Sequence, residues 1–310
     1  MRDLRGYVMI MCAAVFWGIS ATAAKLLLNQ QVDTLLIVQS RVTFSCLILF
    51  LFYFLFKPQY LRVGLKSLWR FALLGILGVA GANFTYYFAI KEGTVATAIL
   101  IQYTAPLAVI GYATLARTEL LSISKVVAAT LSLLGCFLAV GAFHTGVLKI
   151  SPIGLTSAIG SMVTFAFLNL YTRYLLGKHN VWTTTFYSLV FASFFWLVLN
   201  PPGQLVGRDI SSETWAALFL LAIISVLIPH TLFFAGLQYV LPTRAIITST
   251  LEPIVAIVSA ALILGEYLDW VQALGAVLVM SAIVLLQMKG EPETGSRSSI
   301  VASARTDAAQ

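Results

Sequence analysis

The chain has 310 residues, 60% of them hydrophobic and 10% charged, with a formal net charge of +7 and a mean hydropathy of +0.94. A soluble protein carries about 25% charged residues, so there is too little polar surface here to cover a water-soluble fold. Apolar runs of about 18 residues or more read as transmembrane helices, and the composition leaves a helical membrane protein as the class.

Ten such runs follow in chain order: Tyr7–Leu28, Thr34–Phe56, Phe71–Ile90, Thr94–Leu115, Ser124–Phe143, Pro152–Leu175, Thr183–Leu199, Thr214–Leu237, Thr243–Leu264 and Trp270–Gln287. The first, with Arg2 and Arg5 before it and Ala21-Thr22-Ala23 inside it, has the outline of a secretory signal. It stays apolar through Leu28 and more spans follow, so it reads as a retained helix. Lys25 lies near its outer end, where a long side chain snorkels to the interface. Arg41 lies about two turns into span 2 and reads as structural or gating. Cys12, Cys46 and Cys136 all fall inside spans and read as packing residues, with no disulfide set or metal site among them. Beyond Gln287 the tail, residues 289–310, has almost no apolar content and reads as disordered.

Lys and Arg set the orientation. With the N-terminus inside, fourteen of these residues fall on cytoplasmic segments and three, Lys91, Lys149 and Arg208, on outer loops. Both termini are therefore expected in the cytoplasm, with anionic lipid of the inner leaflet facing the basic side. No basic, aromatic-interleaved patch points to nucleic acid.

The halves of the chain repeat. Leu100–Leu121, LIQYTAPLAVIGYATLARTELL, aligns without a gap on Ile247–Leu268, ITSTLEPIVAIVSAALILGEYL, pairing Pro106 with Pro253 and Glu119 with Glu266 at an offset of 147 (253 − 106). The same offset pairs Asn83 with His230, and an offset of 148 pairs Gly6 with Gly154 and Trp17 with Phe165. An odd number of spans per half makes the halves run in opposite senses, an inverted repeat of the kind found in secondary transporters. The expectation is an all-α polytopic protein of ten spans in two inverted five-helix repeats, residues 1–145 and 146–288.

Those two segments resemble the span 4 and span 9 signature of the drug/metabolite transporter superfamily, EamA-like branch, with a proline inside the helix and a glutamate opening the next loop. AAVFWGISATAAK is similar to its first-helix pattern, and Arg41 stands where its second helix often has arginine. The resemblance covers about residues 5 to 288. It implies two five-helix halves and transport of metabolites, often amino-acid export, in the plasma membrane, through a pocket lined by spans 1, 3, 4, 6, 8 and 9.

Glu252 is the first candidate for the chemistry. It falls about ten residues into span 9, near mid-bilayer, where an acidic side chain costs about 2.5–3.5 kcal/mol. It must face the protein interior, as an anchor for a substrate ammonium, as a proton carrier, or as a structural hydrogen-bonding group. Ser249, Ala256 and Ser259 share its face. Its counterpart Ala105 is not acidic, so facilitated diffusion stands beside proton coupling. Pro106 and Pro253 each remove a helix hydrogen bond and are expected to act as hinges or fixed kinks. Glu119 and Glu266, just past spans 4 and 9, read as structural loop residues. Trp17, Asn83, Tyr86, Tyr87, Gln102, Tyr103, Asn169 and His230 lie well within their spans; polar groups there need partners, and an aromatic-walled cavity with a few amides suits an amphipathic solute.

No G-x-x-x-x-G-K-[ST] or H-E-x-x-H sequence occurs, no G-x-S-x-G elbow, and no Asp lies deep in a span, which argues against direct ATP coupling and against an intramembrane enzyme. No cofactor is implied. The leading reading is a secondary carrier of small metabolites, most of all an exporter of amino acids with hydrophobic or aromatic side chains favoured. A sugar-phosphate or nucleotide-sugar carrier, which needs more cavity cations, and a non-transporting membrane scaffold are the alternatives.

Overall fold

The computed structural model describes residues 2–93, 95–141, 150–201, 210–265 and 269–288. Glu266, the tail, His144, Lys149, Arg208, and the expected span ends Thr94 and Phe143 lie outside the described residues. Among the described residues there is no strand. The helices are α1 (Arg2–Asn29), α2 (Thr34–Phe56), α3 (Leu65–Lys91), α4a (Val95–Gln102), α4b (Ala105–Leu115), α5 (Ile123–Ala139), α6 (Pro152–Leu176), α7 (Val181–Leu199), α8 (Ser212–Gly236), α9a (Pro242–Thr248), α9b (Leu251–Leu264) and α10 (Trp270–Met288). Nine candidate spans among the described residues are long and apolar enough to cross a membrane, with each broken pair counted as one span. The remaining run forms α5, shorter at 17 residues.

Helix starts fall on side chains that cap the free backbone N–H groups: Asp33, Ser122, Ser151, Asn180 and Ser211 each accept a hydrogen bond from the first turn that follows. Gly265 ends α9b in the left-handed region, at φ 69°, where a glycine has no steric penalty. The outer surface is apolar. Leu51, Phe52, Phe54, Leu55 and Phe56 on α2, and Val277, Met280 and Met288 on α10, are exposed, as lipid-facing positions must be.

Two departures from regular helix matter. First, spans 4 and 9 do not merely kink. Each breaks at a two-residue turn, Tyr103–Thr104 and Ser249–Thr250, just before its proline. Proline lacks an N–H and clashes with the carbonyl four residues back. Hydroxyls then compete for the carbonyls around the break: Thr104 Oγ1 donates to Ile101 O at 2.6 Å, Ser249 Oγ to Ile246 O at 2.8 Å and Thr250 Oγ1 to Ile247 O at 2.6 Å. Glu252 therefore sits in the first turn of α9b, not in the middle of one continuous helix. Second, α3 and α8 each contain a π-helical segment, Leu74–Ala80 and Ile223–Leu227; wide turns of this kind concentrate at functional sites.

Close approaches hold the bundle. α1 packs against α8 and α9b, α6 against α3 and both parts of α4, α5 against α10, and α2 against α7. A Cβ on Gly18 would lie 2.7 Å from Glu252 O and 2.8 Å from Ala256 N, so the α1 and α9b backbones touch there. One turn on, Thr22 and Ser259 share a hydrogen bond of 2.6 Å, the small-residue and hydroxyl packing expected between membrane helices.

In the connection between α6 and α7, the His179 ring packs on Phe71 at 4.8 Å between centroids. Burial, then the Arg70 and Lys178 cations, hold its pKa below the ordinary 6.5. The folded state thus resists the proton that the unfolded chain takes up, so this contribution is present above pH 6.5 and is lost as pH falls through the window below it. The melting midpoint of the purified protein is expected to drop across that window, and less so in His179→Gln. An equal drop in the variant would assign it to other groups.

Candidate functional site

The polar groups around the two helix breaks come from α1, α2, α3, α4a, α8 and α9b. At the break in span 4, Tyr103 is 3% exposed and donates its hydroxyl to Glu252 Oε2 at 2.8 Å. This hydrogen bond joins the two broken helices beside their breaks. Among the described residues no donor reaches Glu252 Oε1, and the residue is only half-buried.

Facing this pair are Arg41, Asn83, Tyr86 and Tyr87. The Arg41 Nη2 makes long contacts to Tyr87 Oη, 3.3 Å, and Asn83 Oδ1, 3.5 Å, and its Cζ lies 5.9 Å from the Tyr87 ring centroid. Its Nε is buried without a partner among the described residues. Asn83 Nδ2 donates to Val79 O within the π segment at 2.7 Å, which fixes the amide with its oxygen toward Arg41. The Tyr86 and Tyr87 rings meet edge to face at 5.5 Å. Arg41 lies within electrostatic reach of Glu252, and Tyr86 within reach of both charges. The sequence reads Arg41 as structural or gating; the structure puts its guanidinium among these groups.

Trp17 and His230 form a third group. The Trp17 Nε1 donates to Ser225 O at 3.1 Å, meeting a carbonyl of the α8 π segment, and the two rings cross edge to face at 5.4 Å. Phe233 lies against Trp17 at 5.3 Å. His230 is buried, with the Val226 carbonyl of its own helix beside the ring, and lies within reach of the Arg41 charge.

Two candidates are bonded elsewhere. Gln102 donates to Ser161 Oγ at 2.8 Å, tying α4a to α6. Asn169 has no solvent exposure and donates to Phe165 O of its own helix at 2.9 Å. Glu119 stands at the far end of α4b, where its carboxylate accepts from Lys125 Nζ at 2.7 Å and from Thr243 N at 3.2 Å. Among the described residues no three His, Cys, Asp or Glu side chains are grouped to hold a metal.

Apolar helices with lipid-facing rims, two of them broken beside a charged, aromatic-walled interior, define a polytopic membrane protein whose chemistry is held inside the bundle. The chain belongs to the EamA-like transporter family, whose model matches it twice, over residues 4–141 and 152–288. It is similar to the uncharacterized inner membrane transporter YicL of Salmonella typhimurium strain LT2, 25% identical over 289 residues, covering 92% of this chain and 95% of the relative. It is also similar to the threonine/homoserine exporter RhtA of Escherichia coli K12, 27% identical over 257 residues and 81% of each chain. A solved crystal structure superposes with a TM-score of 0.75 at 20% identity, over 90% of this chain and 95% of that one, a likeness of fold. Family and relatives point to a transporter of a small molecule, not to an enzyme.

Proposed function

We propose that the protein is a secondary carrier that moves amino acids out of the cell by alternating access, with hydrophobic or aromatic side chains favoured. The observation that carries this reading is the pairing of Glu252 with Tyr103 across the breaks of spans 4 and 9, beside Arg41 and the Trp17, Tyr86 and Tyr87 rings. Broken helices meeting at mid-membrane are where carriers bind their substrates. The exporter RhtA, similar along most of the chain, supports the substrate class and the direction.

Several features support two inverted five-helix halves, residues 1–145 and 146–288. The helix breaks lie 146 residues apart (249 − 103), within one of the 147 that relates Pro106 to Pro253, and the π segments end 147 apart (227 − 80). Gly6 on α1 lies against Tyr239 and Val240 just past α8, and Gly154 on α6 lies against Glu92 just past α3. α1 packs on α8 and α9b as α6 packs on α3 and α4. In this frame Pro106 and Pro253 are the hinges, Glu119 and Glu266 hold loops, both termini lie in the cytoplasm, and Trp17, Asn83, Tyr86, Tyr87, Tyr103, His230 and Glu252 line the path, with Gln102 and Asn169 behind it. Glu252 is the proton-coupling group.

The test is uptake of radiolabelled amino acids into proteoliposomes with and without a pH gradient, with Glu252→Gln in parallel. Saturable uptake stimulated by the gradient, with that stimulation lost in the variant, is expected. Gradient-independent uptake that survives the substitution would assign a facilitator with a structural Glu252. No uptake of any amino acid by folded protein would remove the substrate class.

A further inference from the structure

We propose that Arg41 is the carboxylate-binding subsite of the carrier, opposite Glu252 as the ammonium subsite, so that the protein takes only solutes with both a free α-carboxylate and a free α-ammonium. This rests on the reading of the interior as an amino-acid site and names the two ends of the substrate head group.

Arg41 and Glu252 are two charges that should have found one another. A cation and an anion inside a bundle are costly when unpaired, and a close ion pair is the usual remedy. Arg41 and Glu252 are near enough to feel each other, yet Glu252 is hydrogen-bonded to Tyr103 and Arg41 to neutral oxygens only. Neither set of bonds is complete. The Arg41 Nε has no acceptor among the described residues, and Nη2 reaches two oxygens at 3.3 and 3.5 Å, long for a guanidinium. Charge-assisted bonds of this group run at about 2.7–2.9 Å, and its planar fork matches a carboxylate through two parallel N–H groups. The Nε edge of the fork is thus a buried donor left without the acceptor that a carboxylate, admitted as the carrier opens, would supply. On the other side, Glu252 keeps Oε1 without a donor among them.

Four chemistries can be weighed against this pair. A phosphorylated solute would meet one cation and an opposing carboxylate. An organic cation would satisfy Glu252 and leave Arg41 uncompensated, and a plain carboxylate would do the reverse. A zwitterion satisfies both and adds no net charge, so its entry removes two desolvation penalties together. Tyr86 stands within reach of both charges, and its edge-to-face contact with Tyr87 gives the head group an aromatic wall. The half-buried Trp17 ring, backed by the buried His230 and Phe233 rings, offers an apolar surface for a side chain.

The experiment is uptake of radiolabelled phenylalanine and threonine into wild-type proteoliposomes, competed by three derivatives of each: the carboxamide, the decarboxylated amine and the N-acetyl amino acid. All three are expected to compete about 10–100-fold more weakly than the parent, the range for losing one charge-assisted bond. Arg41→Gln is expected to raise KM by a similar factor and to erase the preference for the parent over its carboxamide, while keeping the preference over the N-acetyl form. Glu252→Gln is expected to do the reverse. Arg41→Lys, which keeps charge but loses the fork, should fall between. A carboxamide that competes as well as the parent in the wild type would overturn the Arg41 subsite while leaving the amino-acid carrier standing. Wild-type protein that elutes as a folded species and takes up no amino acid would overturn both. Should Arg41→Gln fail to fold, the wild-type competition and Arg41→Lys decide.

Discussion

Replacing Lys125 with methionine is expected to destabilise the protein by about 3–5 kcal/mol, the range for removing one partner of a buried ion pair. Lys125 and Glu119 are 2% and 6% exposed, and Nζ lies 2.7 Å from Oε2. Lys125 stands in the first turn of α5, where the helix field disfavours a cation, so the carboxylate is what holds it there. Glu119 also accepts from Thr243 N at the start of α9a, which ties the loop after α4b to the short half-helix that opens span 9. Loss of the lysine strands the charge on Glu119. The check is the melting midpoint in detergent, by fluorescence-detected size exclusion. Adding Glu119→Gln to Lys125→Met should recover much of the loss, since an amide still accepts from Thr243 N without a charge. A double variant as unstable as the single one would assign the loss to the packing of Lys125 and its bond to Leu120 O, 3.0 Å, and not to a stranded carboxylate.

Gly135→Leu is expected to separate α5 from α10 and to cost about 1–3 kcal/mol or more, as overpacking does. A Cβ at Gly135 would come within 2.7 Å of Gly275 O, and one at Gly275 within 2.5 Å of Ala139 N. Both obstacles are backbone, which no rotamer change clears. A Cβ added at Gly111 would meet nothing within 4 Å, so Gly111→Leu is the matched control and should not lower the midpoint, since a glycine inside a helix is itself unfavourable. If Gly135→Leu folds and melts as the parent does, the α5 and α10 contact is not the close crossing described.

The spans are legible in the sequence because lipid imposes one condition on long stretches: apolar runs of sufficient length. Nine of the ten runs meet it as helices among the described residues. Their interruptions are less legible. Pro106 and Pro253 announce a disturbance, but a lost N–H leaves open whether a helix bends or breaks. The neighbouring hydroxyls of Thr104, Ser249 and Thr250 capture the nearby carbonyls of the short helix before the break. The π segments are not legible at all, since they depend on tertiary contacts such as Trp17 Nε1 at Ser225 O. Arg41 is visible as a charge in a span, but its role is not, because what distinguishes it is a guanidinium whose described partners are neutral oxygens, a property of the assembled bundle.

The π segment of α3 also bears on how the gene can vary. A wide turn holds one residue more than an α-helix needs for the same rise, and so takes up a surplus residue without turning what lies beyond it. Each α-helical residue turns the chain by about 100°. Loss of a single codon between Leu74 and Ala80, with the segment closing to regular α-helix, would leave Asn83, Tyr86 and Tyr87 close to their present phase. The same loss from a regular α-helical stretch would turn everything beyond it and carry such side chains away from Arg41. Hydropathy would register neither deletion, but the phase of the helix tells them apart.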